Sequence, residues 1–243
     1  MQNVKIIVEY NGTEYSGFQI QKDLDTIQGR LENCLKIILR NDVKIKYASR
    51  TDAGVHAKGQ VINFLTLNGV NSVKLQKSMN ALLPDDIVVK NCEVVEKTFD
   101  SRRDAKSREY EYYILNRKYL SAFDKNYFLI DKELDIESIV IASKHLIGRK
   151  DFRAFCKDAS ETENTAREVE NIEIERRNDF IIIRIIANSF LHQMVRIIVG
   201  TLVEVGLGKR KPNDILQILE SKQRKFAGKT APAKGLYLTK VNY

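Results

Sequence analysis

The order of strand-like and helix-like patterns in residues 4–95 limits what this chain can fold into more than any other feature. Segments 4–10, 43–47, 60–66 and 87–95 are rich in β-branched and alternating apolar residues, which is typical of strands. Asp25 is predicted to start a helix, because Gln28 lies three residues on as in a capping box, and apolar residues recur at helical spacing after it and again from near Asn71. The sequence therefore predicts the order β-α-β-β-α-β, which is the ferredoxin-like arrangement.

The remainder of the chain repeats this order of elements, although no sequence identity between the halves is visible. The predicted elements are a strand at 108–115, a helix at 136–147, a hairpin of 169–175 and 180–186, a helix at 190–205, a shorter helix from Pro212 and a strand at 236–241. We therefore predict an α+β fold with two ferredoxin-like halves, residues 1–104 and 105–243. Together they are expected to form a mixed, largely antiparallel sheet of about eight strands with helices packed on one face.

Charge and cysteine content narrow the class of protein. There are 40 Lys and Arg against 32 Asp and Glu, a formal charge of +8, which favours a polyanionic partner such as nucleic acid or an anionic membrane. The three cysteines lie far apart without CxxC spacing, so neither a disulfide framework nor a zinc knuckle is indicated. Because no run of 18 apolar residues occurs, we expect a cytoplasmic protein with no membrane partner.

One polar loop between two predicted strands carries more chemistry than a plain hairpin needs. Residues 49–57 combine a cation, Arg50, a carboxylate, Asp52, an imidazole, His56, and the permissive Gly54. A carboxylate held beside an arginine is available as a nucleophile, a base or an electrostatic stabiliser. The structural alternative is an aspartate that only organises an Asx-turn.

His56 is a weak candidate for metal or triad chemistry. The chain has three histidines and no HxxxH spacing, and no serine or cysteine occupies a nucleophile-elbow context. We therefore expect no metal site. A structural or RNA-contacting imidazole is the better interpretation.

Two further features of the second half stand out, an aromatic pair on a strand and an arginine in an apolar helix. Tyr110 and Tyr112 alternate along a predicted strand and share a face with Arg108, which suits either a core or a platform on which a base stacks. Arg196 lies in an otherwise apolar helix, where an unpaired cation would be costly to bury, so an anionic partner is expected.

The Gly-Lys-Thr of residues 228–230 is not a phosphate-binding P-loop, because the upstream glycine and the following helix are missing. We interpret it instead as a basic loop that leads into the last strand. Lys58 and Lys229, together with His56 and Arg108, are candidate RNA contacts.

These motifs together resemble a known family. Arg50–Ala57 is similar to the signature loop of the TruA-type tRNA pseudouridine synthases, the tRNA pseudouridine synthase A family. Four other blocks resemble the family in the same order along the chain: Tyr10–Gln21, Arg108–Tyr112, Phe190–Arg196 and Thr230–Leu238. The departures are modest: Asn11, Glu109, Glu111, Gln193 and Ile197 stand where the family often has other residues.

The resemblance implies a cofactor-independent isomerase that converts uridine to pseudouridine in the anticodon stem-loop of tRNA, at positions 38, 39 and 40. It also implies a homodimer. By position, Asp52 is the catalytic carboxylate, Tyr110 packs against the target base, Arg196 pairs with Asp52 and Arg50 helps to extrude the nucleotide. Three routes stay open: the carboxylate adds to C1′, adds to the uracil ring or removes a ribose proton.

Two alternative functions remain at this point. One is a non-catalytic RNA-binding protein or RNA chaperone on the same tandem platform, for which basic and aromatic residues matter and Asp52 does not. The other is an enzyme of the same chemistry that acts on ribosomal RNA.

Overall fold

The computed structural model describes residues 1–67, 69–124, 127–158 and 164–243, and these residues form ten strands and five α-helices. The strands are β1 (Gln2–Tyr10), β2 (Lys46–Tyr47), β3 (His56–Thr66), β4 (Ile87–Val95), β5 (Ser107–Asn116), β6 (Phe128–Ile130), β7 (Gly148–Asp151), β8 (Ala166–Arg177), β9 (Phe180–Ala187) and β10 (Leu236–Asn242). The helices are α1 (Ile27–Leu39), α2 (Ser72–Leu82), α3 (Ile136–Lys144), α4 (Met194–Gly206) and α5 (Asp214–Ser221).

The chain divides into two compact units, residues 1–108 with 237–243 and residues 109–236. The first unit has the predicted order β1-α1-β2-β3-α2-β4, and β10 joins it at the C-terminus. β1 lies between β4 and β3, while β2 and β10 both pair with the other edge of β3. The order β4-β1-β3-β2 is that of a ferredoxin-like sheet.

The second unit orders its strands β5-β9-β8-β7, and β6 pairs with β5. Neither β6 nor β7 was predicted from the sequence. Across the two units the pairings of β1 with β3 and β4, β2 with β3, and β8 with β7 and β9 are antiparallel, whereas β10 with β3 and β5 with β6 are parallel. The predicted α+β class with mixed, largely antiparallel pairing is confirmed. The division of the sequence at residue 104 rests on element order alone and stays a prediction.

The start of α1 differs from the prediction. Its N-cap is Thr26, whose side chain accepts a hydrogen bond from the Gly29 N–H, rather than Asp25. Asp25 instead forms an ion pair with Arg30 at 2.5 Å. The helix then buries Leu31 and Leu35, so the predicted apolar face is present.

The start of α4 was also predicted too early. The apolar pattern begins at Phe190, but the helix begins at Met194 because Gln193 adopts a left-handed conformation with φ of 59°. Because the helix begins at Met194, Arg196 lies in its first turn. Most of the other residues of α4 are buried.

Candidate active site

The loop that carries Asp52 connects β2 to β3 in the first unit. Asp52 is half-buried, and its carbonyl accepts a hydrogen bond from the Val55 N–H at 3.1 Å, which closes a tight turn. Gly54 has a φ of 76°, a conformation that favours glycine. The turn therefore fixes the backbone of Asp52 while leaving its side chain partly accessible.

A second loop, residues 11–19 after β1, packs against this turn. The Phe18 N–H donates to the carbonyl of Thr51 at 3.0 Å. At Gly12 a Cβ would lie 2.0 Å from the Val55 carbonyl oxygen, so only glycine allows this approach. The segment Tyr10–Gln21 is thus a support for the Asp52 loop.

His56 is a packed residue of the first unit, since it is 1% exposed. Its Nδ1 accepts the Gly12 N–H at 3.1 Å, and its ring stacks on Tyr237 with a centroid distance of 4.6 Å. The Lys58 ammonium lies 5.2 Å from the centroid of the same tyrosine ring. The imidazole therefore ties the two loops to β10, and an RNA contact by His56 or Lys58 stays a prediction.

The two arginines near the loop have different environments. Arg50 is exposed and makes no hydrogen bond or ion pair within the part of the chain that the structure describes, so its guanidinium is available to an external anion. Arg108 is 8% exposed and donates to the carbonyls of Ala48, Arg102 and Ala105 at 2.8 to 3.4 Å. Arg108 therefore anchors the backbone just before the loop.

In the second unit, Tyr110 is 5% exposed and packs edge-on against Phe190 at 5.1 Å. Tyr112 is fully buried, and its hydroxyl donates to the Pro232 carbonyl at 2.7 Å. Burial raises the pKa of Tyr112 above its ordinary value, and the nearby charge of Arg196 opposes this rise. Both rings thus pack against protein groups of the second unit, and a stacking contact of Tyr110 with a base stays a prediction.

The side chain of Arg196 is held by the segment before β10. Its Nε donates to the Ala231 carbonyl at 2.8 Å, and its own carbonyl accepts the Ala231 N–H at 3.0 Å. Two residues earlier, the Lys229 N–H donates to the Glu204 carboxylate at 3.1 Å. Residues 228–231, which include the Gly-Lys-Thr of the predicted basic loop, therefore lie along α4 and fix Arg196, while the Lys229 side chain is exposed.

The acidic departures on β5 have partners within the second unit. Glu109 pairs with Arg184 at 2.8 Å, and Arg184 also reaches Glu173 at 3.2 Å. Glu111 accepts a hydrogen bond from the Tyr113 hydroxyl at 2.5 Å. The two carboxylates are therefore engaged locally, which reduces the repulsion that they would exert on a polyanion.

The described residues contain neither a metal-binding cluster nor a helix of membrane-spanning length. No group of three or more His, Cys, Asp or Glu side chains in those ranges could hold a metal ion. No helix among the same residues has the length and apolar character that a membrane span requires.

Sequence reasoning missed Tyr10 and Gln60, which lie beneath the Asp52 loop. The Tyr10 hydroxyl is 2.7 Å from the Thr51 hydroxyl oxygen, and the Gln60 side chain bonds to the backbone of Ser49. A signal was present for Gln60, because a lone amide in an apolar strand needs a partner once it is buried.

Comparison with known proteins shows which family the chain is similar to. A family model described as "tRNA pseudouridine synthase" matches residues 6–102 and 142–243. The chain is 48% identical over 244 residues to tRNA pseudouridine synthase A of Thermoanaerobacter sp. (strain X514), and 43% identical to that of Acetivibrio thermocellus, with 100% of both chains covered in each case. It is 45% identical over 245 residues to tRNA pseudouridine synthase A 2 of Clostridium tetani, covering 100% of this chain and 99% of that one.

Likeness to solved structures is lower. The archaeal box H/ACA sRNP Nop10–Cbf5 complex aligns at 13% identity over 84% of this chain and 44% of that one, with a TM-score of 0.41. The sequence relatives and the family model define an RNA-modifying isomerase. The chain belongs to the tRNA pseudouridine synthase family.

Proposed function

We propose that this chain isomerises uridine to pseudouridine in the anticodon stem-loop of tRNA, at positions 38, 39 and 40, with Asp52 as the catalytic carboxylate. Uridine isomerisation in tRNA follows from the family. The observation that carries the proposal for Asp52 is its place in a loop that resembles the family signature and that Gly12 and Phe18 support from one side.

The reaction requires a uracil that has left its stack, because its glycosidic bond must break and re-form through C5. An exposed Arg50 without an internal partner among the described residues is suited to contact the RNA backbone during extrusion. Asp52 then acts on the nucleoside. Tyr110 binds the detached base by stacking while it rotates, and Arg196 serves as the cation that keeps a carboxylate ionised. The roles of these four residues come from the family resemblance.

The wider context is part of the same proposal. We place the enzyme in the cytoplasm as a homodimer that needs no cofactor. Sedimentation of the purified protein tests the dimer, and cell fractionation tests the location. A protein that sediments as a monomer at all concentrations used in the activity assay would contradict the proposed homodimer.

The test of the chemistry is tritium release from 5-tritiated uridine in unmodified tRNA. Wild-type protein is expected to release tritium, while Asp52→Asn is expected to release none above background although it still binds tRNA. Asp42→Asn is the matched control, because this exposed carboxylate pairs only with Lys36 among the described residues, at 2.8 Å. Equal release by wild type and Asp52→Asn would favour a different catalytic residue, and no release by wild type would favour the non-catalytic RNA-binding alternative.

The modified positions in the RNA are tested by mapping pseudouridine in total RNA from a strain that lacks the gene. Loss at positions 38, 39 and 40 of tRNAs is the expected result. Loss confined to ribosomal RNA would show that the enzyme acts on ribosomal RNA instead of tRNA.

A further inference from the structure

The side chain of Gln60 replaces a strand partner for the residue that begins the Asp52 loop. Gln60 is fully buried in β3. Its Nε2 donates to the Ser49 carbonyl at 2.6 Å, and its Oε1 accepts the Ser49 N–H at 3.2 Å. A primary amide can do this because, like a peptide group, it has both a donor and an acceptor. One side chain thus holds both backbone groups of the residue before Arg50.

A buried hydroxyl pair extends this contact toward Asp52. The Tyr10 hydroxyl lies 3.5 Å from Gln60 Nε2 and 2.7 Å from the Thr51 hydroxyl oxygen. Tyr10 is 3% exposed and Thr51 is 4% exposed, so water screens these contacts little. The contacts from Gln60 to Tyr10 and from Tyr10 to Thr51 therefore connect β3 to the residue that precedes Asp52.

The network lies where backbone hydrogen bonds between the two strands stop holding the loop. Just before the loop, the Ala48 N–H still donates to the Val61 carbonyl of the facing strand at 2.9 Å. From Ser49 onward the chain leaves β3 to form the loop, and its backbone groups need other partners. The side chains of Gln60 and Tyr10 supply such partners where the ladder ends.

We propose that Gln60 is a positioning residue for Asp52 and that it acts through the Ser49 backbone and, with Tyr10, through Thr51. This role rests on the proposed function, in which Asp52 is the reacting carboxylate. Because Gln60 and Tyr10 do not reach the surface, they do not contribute directly to RNA affinity. Their loss shifts the loop, and a misplaced reacting group lowers kcat more than it raises KM.

Two substitutions test the amide. Gln60→Glu keeps the shape but places a carboxylate oxygen against the Ser49 carbonyl, and Gln60→Met removes both hydrogen bonds. We expect kcat for tritium release to fall by about tenfold to a hundredfold in each. The dissociation constant for tRNA is expected to change by less than about twofold, because no RNA contact is lost.

Asn63→Asp is the matched control for a merely structural role. Asn63 lies three residues further along β3, is 2% exposed, and bonds to Asn3, Phe99 and Ser101 rather than to the loop. It is expected to lower the melting temperature as the Gln60 substitutions do, while kcat stays at the wild-type value. A fall in kcat as large as that of Gln60→Glu would show that general destabilisation explains the loss, and the positioning role would be wrong.

The hydroxyl pair gives a milder test that does not depend on how Gln60 variants fold. Tyr10→Phe and Thr51→Val each remove one partner of the same bond, so each is expected to lower kcat by about threefold to tenfold. The double variant should lose no more than the larger single loss. Thr51→Ser keeps the hydroxyl and should restore most of kcat. Wild-type kcat in both Tyr10→Phe and Thr51→Val would overturn the proposal, and so would wild-type kcat in a folded Gln60 variant.

Asp52→Asn is measured in parallel to separate the two proposals. If Asp52→Asn is active, the proposed function of Asp52 is wrong and any effect of Gln60 has another origin. If Asp52→Asn is inactive while the Gln60 and Tyr10 variants retain wild-type kcat, only the positioning role is wrong.

Discussion

Gly200→Ala should destabilise this protein, although alanine normally stabilises a helix interior. A Cβ at Gly200 in α4 would lie 1.7 Å from the Lys229 carbonyl oxygen, whereas an ordinary contact begins at 3.4 Å. The obstacle is backbone, so it cannot rotate away as a flexible side chain would. The segment 228–231 therefore has to move off the helix.

The magnitude follows from what holds that segment in place. Its N–H groups donate to Thr201 Oγ1 at 2.9 Å, to Glu204 at 3.1 Å and to the Arg196 carbonyl at 3.0 Å. Overpacking costs about 1–3 kcal/mol, and each weakened hydrogen bond adds about 1 kcal/mol. The gain from replacing a helical glycine is only about 1 kcal/mol. With all three bonds weakened, we therefore expect a net loss of about 3–5 kcal/mol.

Urea unfolding of purified protein measures this loss, and tritium release measures its consequence for Arg196. The control is Gly29→Ala in α1, where the closest atom to a new Cβ is the Thr26 side-chain oxygen at 3.1 Å. That variant should be neutral or up to about 1 kcal/mol more stable. If Gly200→Ala is as stable as wild type, the segment yields at no cost and its contacts with α4 do not fix Arg196.

Three further predictions concern capping and ionisable groups. Thr26→Ala removes the N-cap of α1 and should cost about 1 kcal/mol in urea unfolding, whereas Thr26→Ser should cost much less. Burial opposes the ionisation of Asp100, but hydrogen bonds from Lys46 and two backbone N–H groups lower its pKa from 3.8 to about 2. The contribution of Asp100 to the free energy of unfolding, about 2 kcal/mol at most, is therefore complete above about pH 4 and is lost as the pH falls toward 2. Lys46→Met should weaken this dependence of stability on acid. Burial raises the thiol pKa of Cys34 and Cys92 to about 11, so both should resist a thiol reagent at pH 8 until the protein is unfolded, and rapid labelling of the native protein would contradict this.

The first unit could be predicted from the sequence because periodicity reports burial directly. The limit of a prediction from periodicity is visible in the residues just before β2. Val43 and Ile45 alternate with lysines and are buried as predicted, at 7% and 6% exposure, but they are not part of a strand. The Ile45 N–H donates to the Glu32 carboxylate at 3.1 Å, where a strand would supply a carbonyl. Alternation therefore predicted which side chains face the core but not which groups satisfy the backbone.

The second unit shows the same limit in two places. Three-residue and four-residue strands such as β6 and β7 are too short to give a period of two that differs from chance. The early prediction for α4 arose because apolar residues continue through Phe190 and Leu191, while the conformation that stops the helix is that of Gln193. A backbone angle of this kind leaves no mark on hydrophobic spacing.

The supports of the candidate site could have been predicted only with the register of the hairpin. The rule that a polar group in an apolar segment needs a partner was applied to Arg196 and holds equally for Gln60. Lys46 pairs with Asn63 and Tyr47 with Ile62, so the same register places Ser49 opposite Gln60. Pattern alone does not specify that register, because residues 48–55 form a loop whose length is set by its turn. A ladder continued directly from the turn Asp52–Val55 would place Tyr47 opposite Gln60, two residues away from the observed partner Ser49, so fixing the turn first does not identify that partner.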